Sequence, residues 1–73
     1  MANTELQRQI GQRIRFLRIE KTGLSQEKFA LKNGIDRTYF SSIELGRHSV
    51  TIAILARIAK GLDVSLEELF RGL

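Results

Sequence analysis

The chain has 73 residues, a length that accommodates one small domain. It has no cysteine and one histidine, His48, which excludes a disulfide framework and a thiolate metal site. Basic residues outnumber acidic residues by 12 to 8, and residues 1–60 alone hold eleven basic and five acidic residues. A basic body with an acidic end is typical of proteins that contact a polyanion, although lysine and arginine also simply solvate helix surfaces.

Targeting and catalytic signals are missing from the sequence. The first residues form no apolar signal core, and no apolar run is long enough to span a bilayer. The pattern also lacks a phosphate-binding loop and a nucleophile–base arrangement. We therefore expect a cytoplasmic, non-enzymatic protein with no membrane contact, no cofactor, no metal and no small-molecule ligand.

Apolar residues recur at helical rather than alternating spacing, which predicts an all-α domain of five helices. The first helix is expected from about Glu5 to Lys21, with Thr4 as its N-cap and Gly23 beyond its end. Its inner stripe is predicted to consist of Ile10, Ile14 and Leu17.

The second and third helices carry the clearest local signals. Ser25 and Asp36 are good N-caps, and Gly34 and Gly46 are good stops. In the third helix, Phe40 and Ile43 are spaced to pack inward, whereas the opposite face carries Thr38, Ser41 and Ser42. Helix surfaces that contact nothing more often carry Glu, Lys or Gln, which are better helix formers. The Thr and Ser residues therefore indicate that this face contacts a partner. Two short helices joined in this way predict a helix-turn-helix over about residues 25–46, whose second helix enters the DNA major groove.

The fourth helix is expected after Thr51 and up to Gly61, with a core stripe of Ile52, Leu55, Ile58 and Ala59. A short fifth helix is expected to begin with the capping box from Ser65 to Glu68. The apolar residues near these helices exceed what so small a core needs. They either fill the core and ordinary exposed area, or form a two-fold interface from helices over about residues 52–71. We predict a homodimer through Val50, Ile54, Leu66, Leu69, Phe70 and Leu73.

A family resemblance extends from about Ile10 to Phe70, through GLSQEKFA, NGIDRTYFSSIELGR and IAILARIAKGLDVSLEELF. These segments resemble the repressor/Cro-type (XRE) helix-turn-helix family, and RTYFSSIELGRHSVTI is most similar to the controller proteins of restriction–modification systems. The resemblance implies a compact five-helix repressor-like DNA-binding and dimerisation domain over residues 1–73. It further implies a transcription regulator that binds near-palindromic operator DNA as a homodimer, with one or two dimers on each operator. An antitoxin-type protein-interaction module with secondary DNA binding is the alternative.

The resemblance also implies roles for individual residues. The base-facing set is Arg37, Thr38, Ser41 and Ser42, and the set facing the DNA backbone is Gln26, Tyr39, Arg47, His48 and Ser49. A pair of Arg18 and Glu44 is expected to link the first helix to the third. The residues themselves leave other roles open, because Arg37 could be solvated, Thr38 could serve local capping, Tyr39 could be half-buried core and His48 could be an ordinary loop residue.

Three departures from the family pattern stand beside these roles. The link Lys21-Thr22-Gly23 is one residue longer than usual, which affects the register of Arg18. Leu45 replaces a commonly polar residue, and Leu31 is apolar where the family usually has a charge.

Overall fold

A computed structural model describes the backbone of residues 2–73 and the side chains of residues 4–73. Over this range the predicted five α-helices and the all-α fold class are confirmed, and no β-strand occurs. The helices are α1 (Ala2–Leu17), α2 (Gln26–Lys32), α3 (Arg37–Glu44), α4 (Ile52–Leu62) and α5 (Leu66–Leu69).

The start of α1 differs from the prediction. The helix already includes Ala2, so Thr4 lies inside the first turn and the assignment of Thr4 as N-cap is wrong. Glu5 stands in that first turn, where the helix dipole favours a negative charge, and its Oε1 accepts a hydrogen bond of 2.6 Å from Arg8 Nη2. These interactions stabilise the first two turns of α1.

The extra residue after α1 is accommodated in a π-helical turn over Arg18–Thr22. The Gly23 amide donates to the Arg18 carbonyl five residues back, at 3.1 Å, and Gly23 adopts the left-handed φ of 67°. A π turn holds one more residue than an α turn before the chain leaves the helix. The longer link is therefore absorbed locally, and Arg18 keeps its place on the inner side of the helix.

The helix-turn-helix forms as predicted. The Ser25 hydroxyl accepts from the Lys28 amide at 3.2 Å, and the Asp36 carboxylate accepts from the Tyr39 amide at 3.0 Å. Gly34 takes a φ of 68° in the turn between the two helices. The rings of Phe29 and Phe40 pack with their centroids 5.1 Å apart and join α2 to α3.

One apolar core lies between the helices. It consists of Ile14, Leu17, Phe29, Ala30, Ile35, Phe40, Ile43, Leu55, Ile58, Ala59, Leu62 and Leu69.

Ile52 is 76% exposed, so its expected place in the core is wrong; it is the first residue of α4 and precedes the stripe that faces inward. The helix also continues past Gly61 to Leu62, and Asp63 takes the left-handed stop at φ 60°. Gly61 instead packs against the Asn33 side chain, where a Cβ atom would collide.

Leu69 corrects the predicted dimer interface. Its side chain is 0% exposed and belongs to the core, so the prediction that it faces a second protomer is wrong. A single turn of helix can direct only some of its residues inward, and here Leu69 is buried while Leu66 stays exposed. The end of α5 is held against α1, because Arg13 Nη2 donates to the Glu68 carbonyl at 2.8 Å and Arg13 Nε donates to the Leu69 carbonyl at 3.3 Å.

Candidate nucleic-acid interface

The outer face of α3 forms a shallow, open groove of about 290 Å³. Its lining contains the whole predicted base-facing set, which is Arg37, Thr38, Ser41 and Ser42. It also contains Arg47, and Leu45, an apolar residue that the site prediction missed. Arg37 and Thr38 are exposed, and the two serines are half-buried. The structure therefore gathers five of the predicted site residues on one accessible surface.

The opposite face of α3 explains why this surface points outward. Phe40 and Ile43 are buried there, and their packing fixes the rotation of the helix about its own axis. An α-helix with its side chains is about 10–12 Å in diameter, and the major groove of B-DNA is about 12 Å wide, so α3 fits into it. Ser41 and Ser42 are short side chains at the middle of this face, so a duplex could approach the helix closely.

The C-terminal end of α3 is held by a buried ion pair. Arg18 Nε donates to Glu44 Oε2 at 2.8 Å and Arg18 Nη2 donates to Glu44 Oε1 at 3.1 Å, with the two side chains 7% and 1% exposed. Arg18 Nη1 also donates to the Leu24 carbonyl at 2.6 Å. Arg18 and Glu44 thus meet as the resemblance implied, in a two-point contact that links the end of α1 to α3.

Gln26 belongs to the same network. Its Nε2 donates to Glu44 Oε1 at 2.7 Å, so Glu44 connects α3 to α2 as well as to the segment after α1. An amide nitrogen carries two hydrogens, and one of them is committed to Glu44. A phosphate contact by this side chain would use the second N–H.

The backbone of α1 supports α3 directly. Gly11 is buried against the carbonyl groups of Ile43 and Glu44, where a Cβ atom would overlap backbone atoms. A Cβ atom on Gly46 would lie 2.6 Å from the Cα atom of Arg8. Both contacts join rigid main-chain atoms, so they fix the position of the end of α3 relative to α1.

The remaining predicted residues lie at two different depressions of the surface. The Arg47 amide donates to the Ser42 carbonyl at 2.9 Å, which keeps Arg47 beside the α3 groove. His48 and Ser49 are exposed, but they line a different depression of about 210 Å³ with Leu6, Gln7, Ile10 and Val50. Tyr39 is half-buried against the core, and its ring centroid lies 5.3 Å from that of His48.

Positive charge is available at both ends of the groove. Within residues 4–73, the guanidinium groups of Arg37 and Arg47 take part in neither an ion pair nor a side-chain hydrogen bond. Arg18, by contrast, is neutralised by Glu44. The accessible cations on this side of the molecule therefore flank the polar face of α3, as anion recognition requires.

A model of the helix-turn-helix domain family matches residues 11–73. The chain belongs to this helix-turn-helix family. Such proteins bind DNA and regulate transcription, which agrees with the exposed polar face of α3.

Two curated relatives are restriction–modification control proteins. The chain is 50% identical over 60 residues to control protein C.MunI of Mycoplasma sp, covering 82% of this chain and 81% of that protein. It is 39% identical over 59 residues to control protein C.BamHI of Bacillus amyloliquefaciens, covering 81% and 73% of the two chains.

A solved structure shows the same architecture. The crystal structure of the restriction-modification controller protein C.AhdI from Aeromonas hydrophila superposes with a TM-score of 0.88 at 37% identity, over 96% of this chain and 100% of that one. Together with the sequence relatives, this similarity confirms the family and the five-helix fold. The chain is a helix-turn-helix regulator similar to restriction–modification controllers.

The remaining predicted interface residues occupy two kinds of environment. Val50 and Ile54 are half-buried and pack against the core, so they contribute to the fold of a single protomer. Leu66, Phe70 and Leu73 are exposed. Phe70 and Leu73 line an apolar groove of about 310 Å³ with Leu6 and Ile10. Sequence reasoning missed Leu6, although it precedes Ile10 by four residues and so extends the apolar stripe of α1 by one turn.

No helix within the described residues is long and apolar enough to cross a bilayer.

Proposed function

We propose that this protein is a sequence-specific regulator that binds near-palindromic operator DNA as a homodimer and controls the genes of a restriction–modification system. One observation carries the proposal: the outer face of α3 presents Arg37, Thr38, Ser41 and Ser42 in one open groove, on a helix fixed from behind. The relatives named as control proteins favour the restriction–modification context.

Base reading is assigned to the outer face of α3 and above all to its start, because the N-terminal residues of a recognition helix contact base edges. Arg37 is exposed at the first position of α3. Its guanidinium can donate two parallel hydrogen bonds to O6 and N7 of guanine, a contact worth about 1–3 kcal/mol of discrimination. Thr38, Ser41 and Ser42 offer hydroxyl groups that suit several base partners, so they refine the preference that Arg37 sets.

Phosphate contacts are assigned to the residues around this face. Arg47 is the best placed, because it lies beside the groove with an unneutralised guanidinium. Gln26 contributes through its second N–H, and Tyr39, His48 and Ser49 contribute at the edge of the surface. Such contacts set the register of the protein on the duplex and carry no sequence information directly.

A dimer is expected because a single recognition helix is short. Two recognition helices read one face of a duplex when they lie about 34–36 Å apart, one turn of DNA. The described part of the molecule measures 32 × 24 × 20 Å, so a separation of this order between two α3 helices is within reach of two copies in contact. The exposed residues Leu66, Phe70 and Leu73, with Leu6 and Ile10, supply an apolar surface for the contact between protomers. One operator would hold one or two such dimers.

Selection of binding sites from a random duplex library tests the proposal. We expect a near-palindromic consensus whose half-sites are centred about one helical turn apart. Salt-sensitive binding without any consensus would show that the basic surface acts only electrostatically, and the proposal would fail. In that case the apolar surface would direct attention to a protein partner, as in an antitoxin.

A further inference from the structure

Leu45 is an apolar residue on a polar DNA-facing surface. It follows the last residue of α3, it is 56% exposed, and it borders the same groove as Thr38 and Ser41. These three residues are spaced by three and four positions, so they stand in one row along the helix surface. The Leu45 amide donates to the Ser41 carbonyl at 3.1 Å, which holds Leu45 in the continuation of α3.

Folding does not account for this leucine. Leu45 belongs neither to the buried core nor to the half-buried apolar residues that pack against it. Exposure alone is no signal, because single apolar residues are common on surfaces, and Leu31 on α2 is 80% exposed. Leu45 differs from Leu31 in its position, since it forms one wall of the groove that Arg37 and Arg47 flank with positive charge.

The major groove offers one kind of apolar group on its base edges. Thymine carries a C5-methyl group there, whereas the other exposed edge atoms are hydrogen-bond donors and acceptors. We propose that Leu45 is a specificity-determining residue that packs against the C5-methyl group of a pyrimidine, thymine in ordinary DNA. This inference rests on the proposed function, because it requires α3 to lie in the major groove.

The position of that pyrimidine follows from the helix. Leu45 is eight residues from Arg37, which corresponds to about 12 Å along the helix axis. Successive base pairs are about 3.4 Å apart. The methyl group is therefore expected within about four base pairs of the base read by Arg37, in the same half-site. 5-Methylcytosine presents the same methyl group, so the test includes it as a separate arm.

The test uses the selected duplex, with each thymine replaced singly by deoxyuridine, which removes only the methyl group. The Kd is measured for the wild type, for Leu45→Ala and for the control Leu31→Ala. For the wild type and the control, we expect about a fourfold loss of affinity at one thymine in each half-site, the equivalent of one buried methyl group. Leu45→Ala should bind both duplexes equally at that position. Changing this thymine to 5-methylcytosine rather than cytosine should recover about the same factor for the wild type.

The outcomes separate this inference from the proposed function. If a consensus is selected but no thymine is sensitive to deoxyuridine, Leu45 reads no methyl group and only the inference fails. The same holds if Leu45→Ala keeps the wild-type sensitivity at the same thymine. If no preferred duplex is selected, the proposed function fails and the inference fails with it. An unchanged melting temperature of Leu45→Ala is expected, since the side chain is exposed, and this excludes misfolding as the cause of a lost response.

Discussion

At the scale of single residues, the carboxylate of Glu44 connects α3 to two other segments of the chain. It accepts hydrogen bonds from Arg18, in the π-helical turn after α1, and from Gln26, the first residue of α2. A buried ion pair is weak evidence for stability, because desolvation of both charges offsets much of their attraction. The geometry of this pair fixes the end of the recognition helix, so its main contribution is to positioning.

Removal of one member of the pair leaves the other charge buried and unpaired. Glu44→Ala should therefore lower the free energy of unfolding by about 3–5 kcal/mol, measured by urea denaturation. The control Glu20→Ala changes an exposed carboxylate and should stay within about 0.5 kcal/mol of the wild type. Equal unfolding free energies for the two variants would contradict the claim that Glu44→Ala leaves the charge of Arg18 buried and unpaired.

At the scale of elements, α3 and the loop that follows it divide reading from anchoring. Arg37 stands in the first turn of the helix, whereas Arg47 lies beyond its end, and both guanidinium groups flank the groove. A guanidinium that contacts a base discriminates between sequences. One that contacts phosphate adds the same affinity to every sequence and releases a counterion.

Arg47→Ala tests the anchoring role. We expect weaker binding to specific and random duplexes by the same factor, with the slope of log K against log salt concentration reduced by about 0.9, because one phosphate contact is lost. Fluorescence anisotropy at several salt concentrations measures both quantities. A selective loss of affinity for the specific duplex, with an unchanged slope, would instead make Arg47 a base-reading residue.

The helix-turn-helix was predictable from the sequence because its signals are local. Ser25, Gly34 and Asp36 act within a few residues of their own positions, and each adopts the expected role. The start of α1, the exposure of Ile52 and the continuation of α4 past Gly61 were not predictable in this way. Gly61, for example, reads as a helix stop by propensity, but its role comes from the Asn33 side chain, which is distant in sequence.

The candidate site was likewise predictable where its signals are local and not where they depend on tertiary packing. The outer face of α3 follows from helical spacing, so its polar residues were identified correctly as one surface. Burial of Leu69 depends on how α5 packs against the rest of the core, which spacing in a four-residue helix does not specify. The separation of His48 and Ser49 from the α3 groove depends on the path of the loop.

At the scale of the whole molecule, the proposed dimer relies on the apolar surface at the chain's C-terminal end. Phe70→Asp should place a charge in the contact between protomers and convert the dimer to a monomer. Because Phe70 is only 36% exposed in the single chain, circular dichroism checks that the variant keeps its helices. Sedimentation at tens of micromolar measures the change. Leu69→Asp would not serve, because Leu69 lies in the core and the variant would lose its fold.

The matched control for the dimer is Leu31→Asp, which changes an exposed apolar residue on α2, away from the proposed interface. We expect this variant to sediment as the wild type does. If Phe70→Asp also remained dimeric, or if the wild type were a monomer at this concentration, the proposed interface would be wrong.

The proposed function depends on the outer face of α3 reading bases, and titration of base-pair variants examines this reading. The wild type and Arg37→Ala are titrated against every single-base-pair variant of the selected duplex. We expect the variant to lose about 1–3 kcal/mol of discrimination at one base pair in each half-site and to keep the preferences elsewhere. A uniform loss of affinity across all duplexes, specific and random alike, would contradict it.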